Sequence, residues 1–156
     1  IIPVYDQVQP EIFEEYMKTT ENTSPLSFLS SRLSQFTKAT RIFTTRDYTH
    51  TNVAAEFHQA CDNIPNTLVI IKSGQYIAGG YTEVAWSSGD RWCAIQDHSQ
   101  AYLFSVNRQK SYSNVRKEYA LYFDSNYGPI IGGGGGFGVR GEYRSNHSYS
   151  ELMYYD

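Results

Sequence analysis

Residues Asn66–Trp86 read NTLVIIKSGQYIAGGYTEVAW, and the fold turns on how this stretch is taken. Thr67–Ile71 is an apolar, β-branched run, TLVII, that lacks polar alternation and therefore suits a strand buried on both faces. Lys72–Gln75 is turn chemistry, and Tyr76–Tyr81 (YIAGGY) is a second apolar and aromatic run. Two such runs joined by a short Gly-containing loop predict a β-hairpin. Gly79 and Gly80 are costly inside a strand unless a bulge or a close backbone approach requires the missing side chains. The hairpin is expected to be central, with the other segments packed on it.

A chain of 156 residues is enough for one domain with a sizeable core. Its 14 Tyr, 8 Phe and 2 Trp favour strands and half-buried surfaces, where a ring packs while its polar end finds water or a partner. The 13 basic and 16 acidic residues give a net charge of −3 with no block of like charge, so no nucleic-acid footprint is visible. No apolar run approaches the length of a transmembrane helix, about 18 residues. Cys61 and Cys93 are the only cysteines. Their spacing fits no zinc motif, and they either form one disulfide in an oxidising compartment or stay as buried thiols in a reducing one. The chain starts at Ile1 without an initiator Met, and Asn22 and Asn146 head N-x-S/T tripeptides. The expectation is an extracellular location, with a cytoplasmic one as the alternative.

Outward from the hairpin, Ile1–Pro10 reads as an extended arm and Glu11–Thr20 as a helix with acidic residues in its first turn. A helix starting at Pro25 carries Leu26, Leu29, Leu33 and Phe36 on one face, which is core spacing. Ala39–Thr45 reads as a strand and Arg46–His50 as a polar connection. Thr51 or Asn52 caps a helix ending at Cys61, with Val53, Phe57 and either Ala60 or Cys61 facing inward. After the hairpin come a polar loop over Ser87–Gln100, a buried strand at Ala101–Val106, and a basic polar loop over Asn107–Lys117. A strand at Glu118–Phe123 and a glycine-rich segment, Tyr127–Gly138, follow, with a further strand at Phe137–Gly141. Helices followed by several closely connected strands predict an α+β fold, two stacked antiparallel β-sheets (a sandwich) flanked by a few helices. The expected organisation is one globular unit, with residues 1–38 as an arm and helices packed on a domain spanning 39–156.

The candidate chemistry is sparse. Gly132–Gly136 lacks the Lys and Ser/Thr of a P-loop and leads into Phe137-Gly138-Val139-Arg140, so a tightly packed or positive-φ loop is the reading. His50, His58, His98 and His147 are scattered, and acid–base or metal chemistry would require the fold to gather them with Asp47, Asp62, Asp90 or Asp97. His58 and Cys61 stand at i and i+3 on the predicted helix, within reach of a thiolate pair, although a Cys facing the core is the ordinary outcome. Arg46-Asp47 reads equally as a loop anchor and as a solvated turn.

Several stretches, in order, resemble the TLDc domain family of oxidation-resistance proteins. They are RIFTTRD (Arg41–Asp47), Phe57-His58 with Cys61-Asp62, TLVIIKS (Thr67–Ser73), and GGYT (Gly79–Thr82) with Trp86-Ser87. AYLFS (Ala101–Ser105), YGPIIGGG (Tyr127–Gly134) and SYS (Ser148–Ser150) complete the set. The versions of protists and aquatic invertebrates are the most similar. The resemblance implies a sandwich flanked by helices, with no catalytic triad, metal or cofactor. It also implies a role in protection from oxidative stress or in regulating the vacuolar proton pump. The chain departs from the family pattern at Ile130-Ile131, where Thr or Ser and then Phe are usual, and in a glycine run that reaches Phe137 instead of an acidic residue. It also stops at Asp156, where the family commonly adds an apolar strand.

The leading functional reading is a non-enzymatic interaction domain that meets another protein, or a second copy of itself, at an open sheet edge, with a secreted binding, defence or structural protein of an invertebrate as the alternative and a small hydrolase as the third reading. An enzyme would need the groups around His50–Asp62 or Asp90–His98 to meet. A carbohydrate-binding module would need Trp86, Trp92, Tyr112 and Tyr127 to form one exposed aromatic set.

Overall fold

The computed structural model describes residues 27–33, 40–45, 52–73, 75–114, 116–132, 136–140 and 149–150. The predicted hairpin is present as β1 (Thr67–Ser73) and β2 (Tyr76–Thr82), antiparallel, with Val69 opposite Gly80 and Ile70 opposite Gly79. β3 (Arg91–Cys93), β4 (Ala101–Ser105), β5 (Lys110–Ser113) and β6 (Leu121–Phe123) follow, then β7 (Tyr127–Ile131), β8 (Phe137–Arg140) and β9 (Tyr149–Ser150). They form two sheets of antiparallel strands, a four-stranded one ordered β1-β2-β4-β5 and a five-stranded one ordered β3-β6-β7-β8-β9. Among the described residues the helices are few: a 3-10 turn at Ser27–Leu29 running into α1 (Ser30–Leu33), α2 (Val53–Cys61), and a 3-10 turn at Lys117–Tyr119. The α+β sandwich expected from the sequence is the observed architecture.

β1 lies between two cores. Val69 joins Leu103, Tyr112, Leu121, Phe123 and Ile131 in a cluster that also takes in Trp86 and residues of α2. Its neighbours Leu68 and Ile70 point the other way, into a second cluster with Tyr81, Tyr102, Phe104, Leu29 and Leu33. A strand with apolar side chains on both faces has no use for polar alternation, which is why TLVII reads as an unbroken run. Leu29 and Leu33 are buried as their spacing predicts, whereas Leu26 and Phe36 lie outside the described residues, as do the arm and the helix expected at Glu11–Thr20.

Four expectations need correction. Thr40–Thr45, the described part of the strand expected at Ala39–Thr45, belongs to neither sheet among the described residues. Phe43 is buried there, edge-on against Phe57 at 5.8 Å between ring centroids. The loop expected at Ser87–Gln100 contains β3, whose three residues are too few to show a period. The loop expected at Asn107–Lys117 contains β5, in which Tyr112 alone is buried and apolar, so no apolar run announces it. The strand expected from Glu118 starts only at Leu121, because Lys117–Tyr119 turns as a 3-10 helix.

Glycine is required where strands and loops close most tightly. A β-carbon on Gly79 would lie 1.9 Å from the Val69 carbonyl oxygen and 2.7 Å from the Phe104 ring. At the ends of the glycine run, Gly132 has a φ of 84°, and a β-carbon on Gly136 would lie 1.7 Å from the Ile131 carbonyl oxygen. Gly136 N–H donates to the Gly132 carbonyl at 2.9 Å, which brings the two ends of the run together. Gly79→Ala is expected to lower unfolding stability in urea by about 2–3 kcal/mol, the usual cost of overpacking. A loss under about 0.5 kcal/mol, within the range of neutral surface changes, would contradict the close approach.

Candidate functional site

The densest polar arrangement among the described residues grows from α2. Asn52 caps the helix, its side-chain oxygen accepting from Ala55 N–H at 3.1 Å, as the sequence predicts. This start sets Val53, Phe57, His58 and Cys61 on the buried face. His58 is only 7 % exposed, and both of its ring nitrogens are engaged. Nδ1 lies 2.7 Å from Asp62 Oδ1, one turn on at the helix C-cap. Nε2 lies 2.9 Å from the carbonyl oxygens of both Asp124 and Tyr127, in the turn between β6 and β7. Two carbonyls can only accept, so Nε2 carries a proton and donates. The other Asp62 oxygen accepts from the Ser88 hydroxyl.

Beside this cluster the chain turns a corner at Trp86, which is buried, and Asn63 N–H donates to the Trp86 carbonyl at 3.0 Å. The Trp86 indole N–H donates to Thr67 Oγ1 at 2.8 Å, and its ring stands edge-to-face with Phe57 and Phe123. His58, Asp62, Ser88 and Trp86 thus join α2, the corner after β2 and the β6–β7 turn.

As chemistry, this arrangement is closed. A hydrolytic triad needs a hydroxyl on Nε2 of the histidine. Here Ser88 stands on the far side of the carboxylate, and Nε2 is taken by backbone. His98 Nδ1 contacts the Asn114 carbonyl at 2.5 Å, and Asp90 accepts from the Tyr122 hydroxyl. Asp97 accepts from Ser99 N–H at 2.8 Å, a bond that lowers its pKa. Asp90, Asp97 and His98 therefore bond to separate partners and form no common site, while His50, His147 and the Arg46-Asp47 pair lie outside the described residues. Among the described residues no group of three or more His, Cys, Asp or Glu side chains could hold a metal ion. The spacing of His58 and Asp62, four apart at the end of a helix, is the signal that sequence reasoning passed over in favour of His58 and Cys61. Ser88 and the two carbonyls carry no such signal.

The four rings expected to share a surface are dispersed. Trp86 and Tyr112 are buried in the core between the sheets, and Tyr127 is half-buried. Only Trp92 is exposed, at 44 %. It sits on β3 against a different pair of rings, Tyr119 edge-on at 5.4 Å and Tyr122 tilted at 4.5 Å, with the Arg116 guanidinium over Tyr119. The aromatic set expected for a carbohydrate module does not assemble, because two of its members are needed inside.

Both cysteines are free thiols. Cys61 is buried and its pKa is pushed up to about 12 by desolvation, with the Asp62 carboxylate adding to the shift. Cys93 is half-buried and also shifted up by desolvation, against the pull of Arg91. A thiol reacts as its thiolate. Native protein is therefore expected to alkylate at Cys93 first and at Cys61 only on unfolding, by mass-resolved iodoacetamide labelling. Equal labelling of both in the folded state would contradict the burial. Because the folded pKa of Cys61 lies above its ordinary value, its contribution to stability is complete below about pH 9 and is lost as pH rises toward about 12. Cys61→Ala should flatten that alkaline decline, which pH-resolved thermal unfolding would show.

No helix among the described residues is long and apolar enough to cross a membrane. No curated protein and no solved structure matches the chain. The family model of the TLDc domain matches residues 14–154, which includes the corner at Trp86, the His58 cluster and both sheets. By that match, over nearly the whole of its length, the chain belongs to the TLDc domain family.

Proposed function

We propose that the chain acts by binding, as a protein-interaction domain of the TLDc type, without chemistry of its own. The observation that supports this reading is the closure of the His58 cluster. Every polar atom that a catalytic mechanism would use there is already bonded to the fold. TLDc domains are linked to resistance to oxidative stress. In that setting the chain would protect against oxidants, or regulate a proton pump, by contact with another protein.

The surface that best suits such contact is at β3. This strand ends the five-stranded sheet and has a neighbour on one side only among the described residues, so its other edge can pair. Trp92 stands on it, braced by Tyr119 and Tyr122, with Arg91 and Arg116 close by. Trp, Tyr and Arg are the residue types that dominate binding energy at protein interfaces.

The test is a panel of ester, phosphate and glycoside substrates given to the wild-type chain and to His58→Gln and Ser88→Ala. The expected result is no turnover dependent on either residue. A lowered unfolding temperature is also expected for His58→Gln, since removing one partner leaves buried acceptors unsatisfied. Turnover by wild type that is abolished in a folded His58→Gln or Ser88→Ala protein would overturn the proposal.

A further inference from the structure

The four-stranded sheet contains no acidic residue. None occurs between Asn63 and Thr82 or between His98 and Lys117, the two segments from which β1, β2, β4 and β5 are built. Its basic residues gather at one end. The β1–β2 turn and the β4–β5 turn lie side by side there, because β2 and β4 are neighbours running antiparallel. They are tied together: Asn107 donates from Nδ2 to the Gln75 carbonyl at 3.0 Å and accepts from Ile77 N–H at 2.7 Å. Val106 N–H donates to the Ile77 carbonyl at 2.9 Å. Lys72 stands near the end of β1, beside the first turn, Arg108 lies on the second turn, and Lys110 opens β5. None of the three forms an ion pair among the described residues, and Lys110 rests on the Tyr112 ring at 5.0 Å. Tyr76 projects from the same end and is 63 % exposed, the most exposed large ring among the described residues.

We infer that this end of the sheet docks on an anionic lipid bilayer surface. The inference uses other residues than the protein contact proposed at β3 and stands independently of it. Charge complementarity is the first ground. Among the described residues the three cations have no acidic partner, on a chain whose net charge is −3, so an anionic surface attracts this end and orients the molecule with the remainder turned away. The second ground is the ring. Tyrosine has an apolar body and a polar tip, which suits the headgroup level of a bilayer.

The test is co-sedimentation of the full chain with vesicles of phosphatidylcholine, with and without phosphatidylserine, over a series of salt concentrations. Binding is expected only to the anionic vesicles and is expected to weaken as salt rises. Lys72→Gln, Arg108→Gln and Lys110→Gln should each lower the partition coefficient about fivefold, and the triple variant about a hundredfold. Tyr76→Ser should weaken binding while leaving the salt dependence in place. Circular dichroism and thermal unfolding of each variant would confirm that it folds, and the wild-type salt series stands without any variant. No binding to phosphatidylserine vesicles at low salt would overturn the inference, as would equal binding by a folded triple variant. So would polyglutamate binding that exceeds vesicle binding and depends on the same three residues, since it would assign this end to an acidic protein partner.

Discussion

Three pieces of chain that are distant in sequence meet at the His58 imidazole. Its Nδ1 reaches the Asp62 carboxylate at the end of the same helix, and its Nε2 reaches two carbonyls in the β6–β7 turn. Through Asp62 and Ser88 the same cluster reaches the corner after β2. A buried group with acceptors on both sides holds its place strongly, because displacing it would leave each of them without a partner in a poorly solvated site. The cluster therefore fixes where α2 sits against the five-stranded sheet. The four-stranded sheet is placed against the same elements by Trp86, whose ring packs on α2 and β6 while its indole N–H binds the first residue of β1.

This arrangement explains why side chains that resemble a catalytic set perform a structural task. Histidine, aspartate, serine and cysteine occur close together around the end of α2, yet His58 and Cys61 are buried and the exposed Ser88 is bonded to Asp62. The cysteine is buried and held protonated, the histidine is capped by backbone, and the serine hydroxyl is engaged by the carboxylate. The two surfaces proposed for recognition lie at the periphery of the described residues. One is at Trp92 on β3, and the other is the basic end of the four-stranded sheet around Tyr76. Rigid interior and available edges are complementary properties of the same fold.

The parts legible in the sequence are those whose signals are local. The β1–β2 hairpin declares itself by a continuous apolar run and a turn, and α2 by its Asn52 cap and the spacing of Val53, Phe57 and Cys61. β3 and β5 are invisible because each is short and offers a single ring, Trp92 or Tyr112, whose role is set by a distant partner strand. The Thr40–Thr45 stretch misleads because its β-branched content suits a strand, whereas among the described residues it joins neither sheet and Phe43 packs on Phe57. In the polar cluster, His58 and Asp62 are four residues apart and readable, but the Ser88 hydroxyl is supplied from 26 residues beyond Asp62, and the Asp124 carbonyl from 66 beyond His58. The basic end is hidden for the same reason, since Lys72 and Arg108 reach the same end of the sheet only through the pairing of β1 with β2 and of β2 with β4. Family resemblance bridges such gaps because it registers the ordered set of motifs, not any one local signal.

A double-mutant cycle on His58 and Asp62 tests the structural account most directly. Unfolding of the wild type, His58→Ala, Asp62→Ala and the double variant would be followed in urea. The account predicts a coupling energy of about 1–3 kcal/mol, as expected of a mostly buried hydrogen-bonded pair that positions a helix. Additive effects, with coupling under about 0.3 kcal/mol, would show that the two side chains stabilise the fold independently and would contradict it.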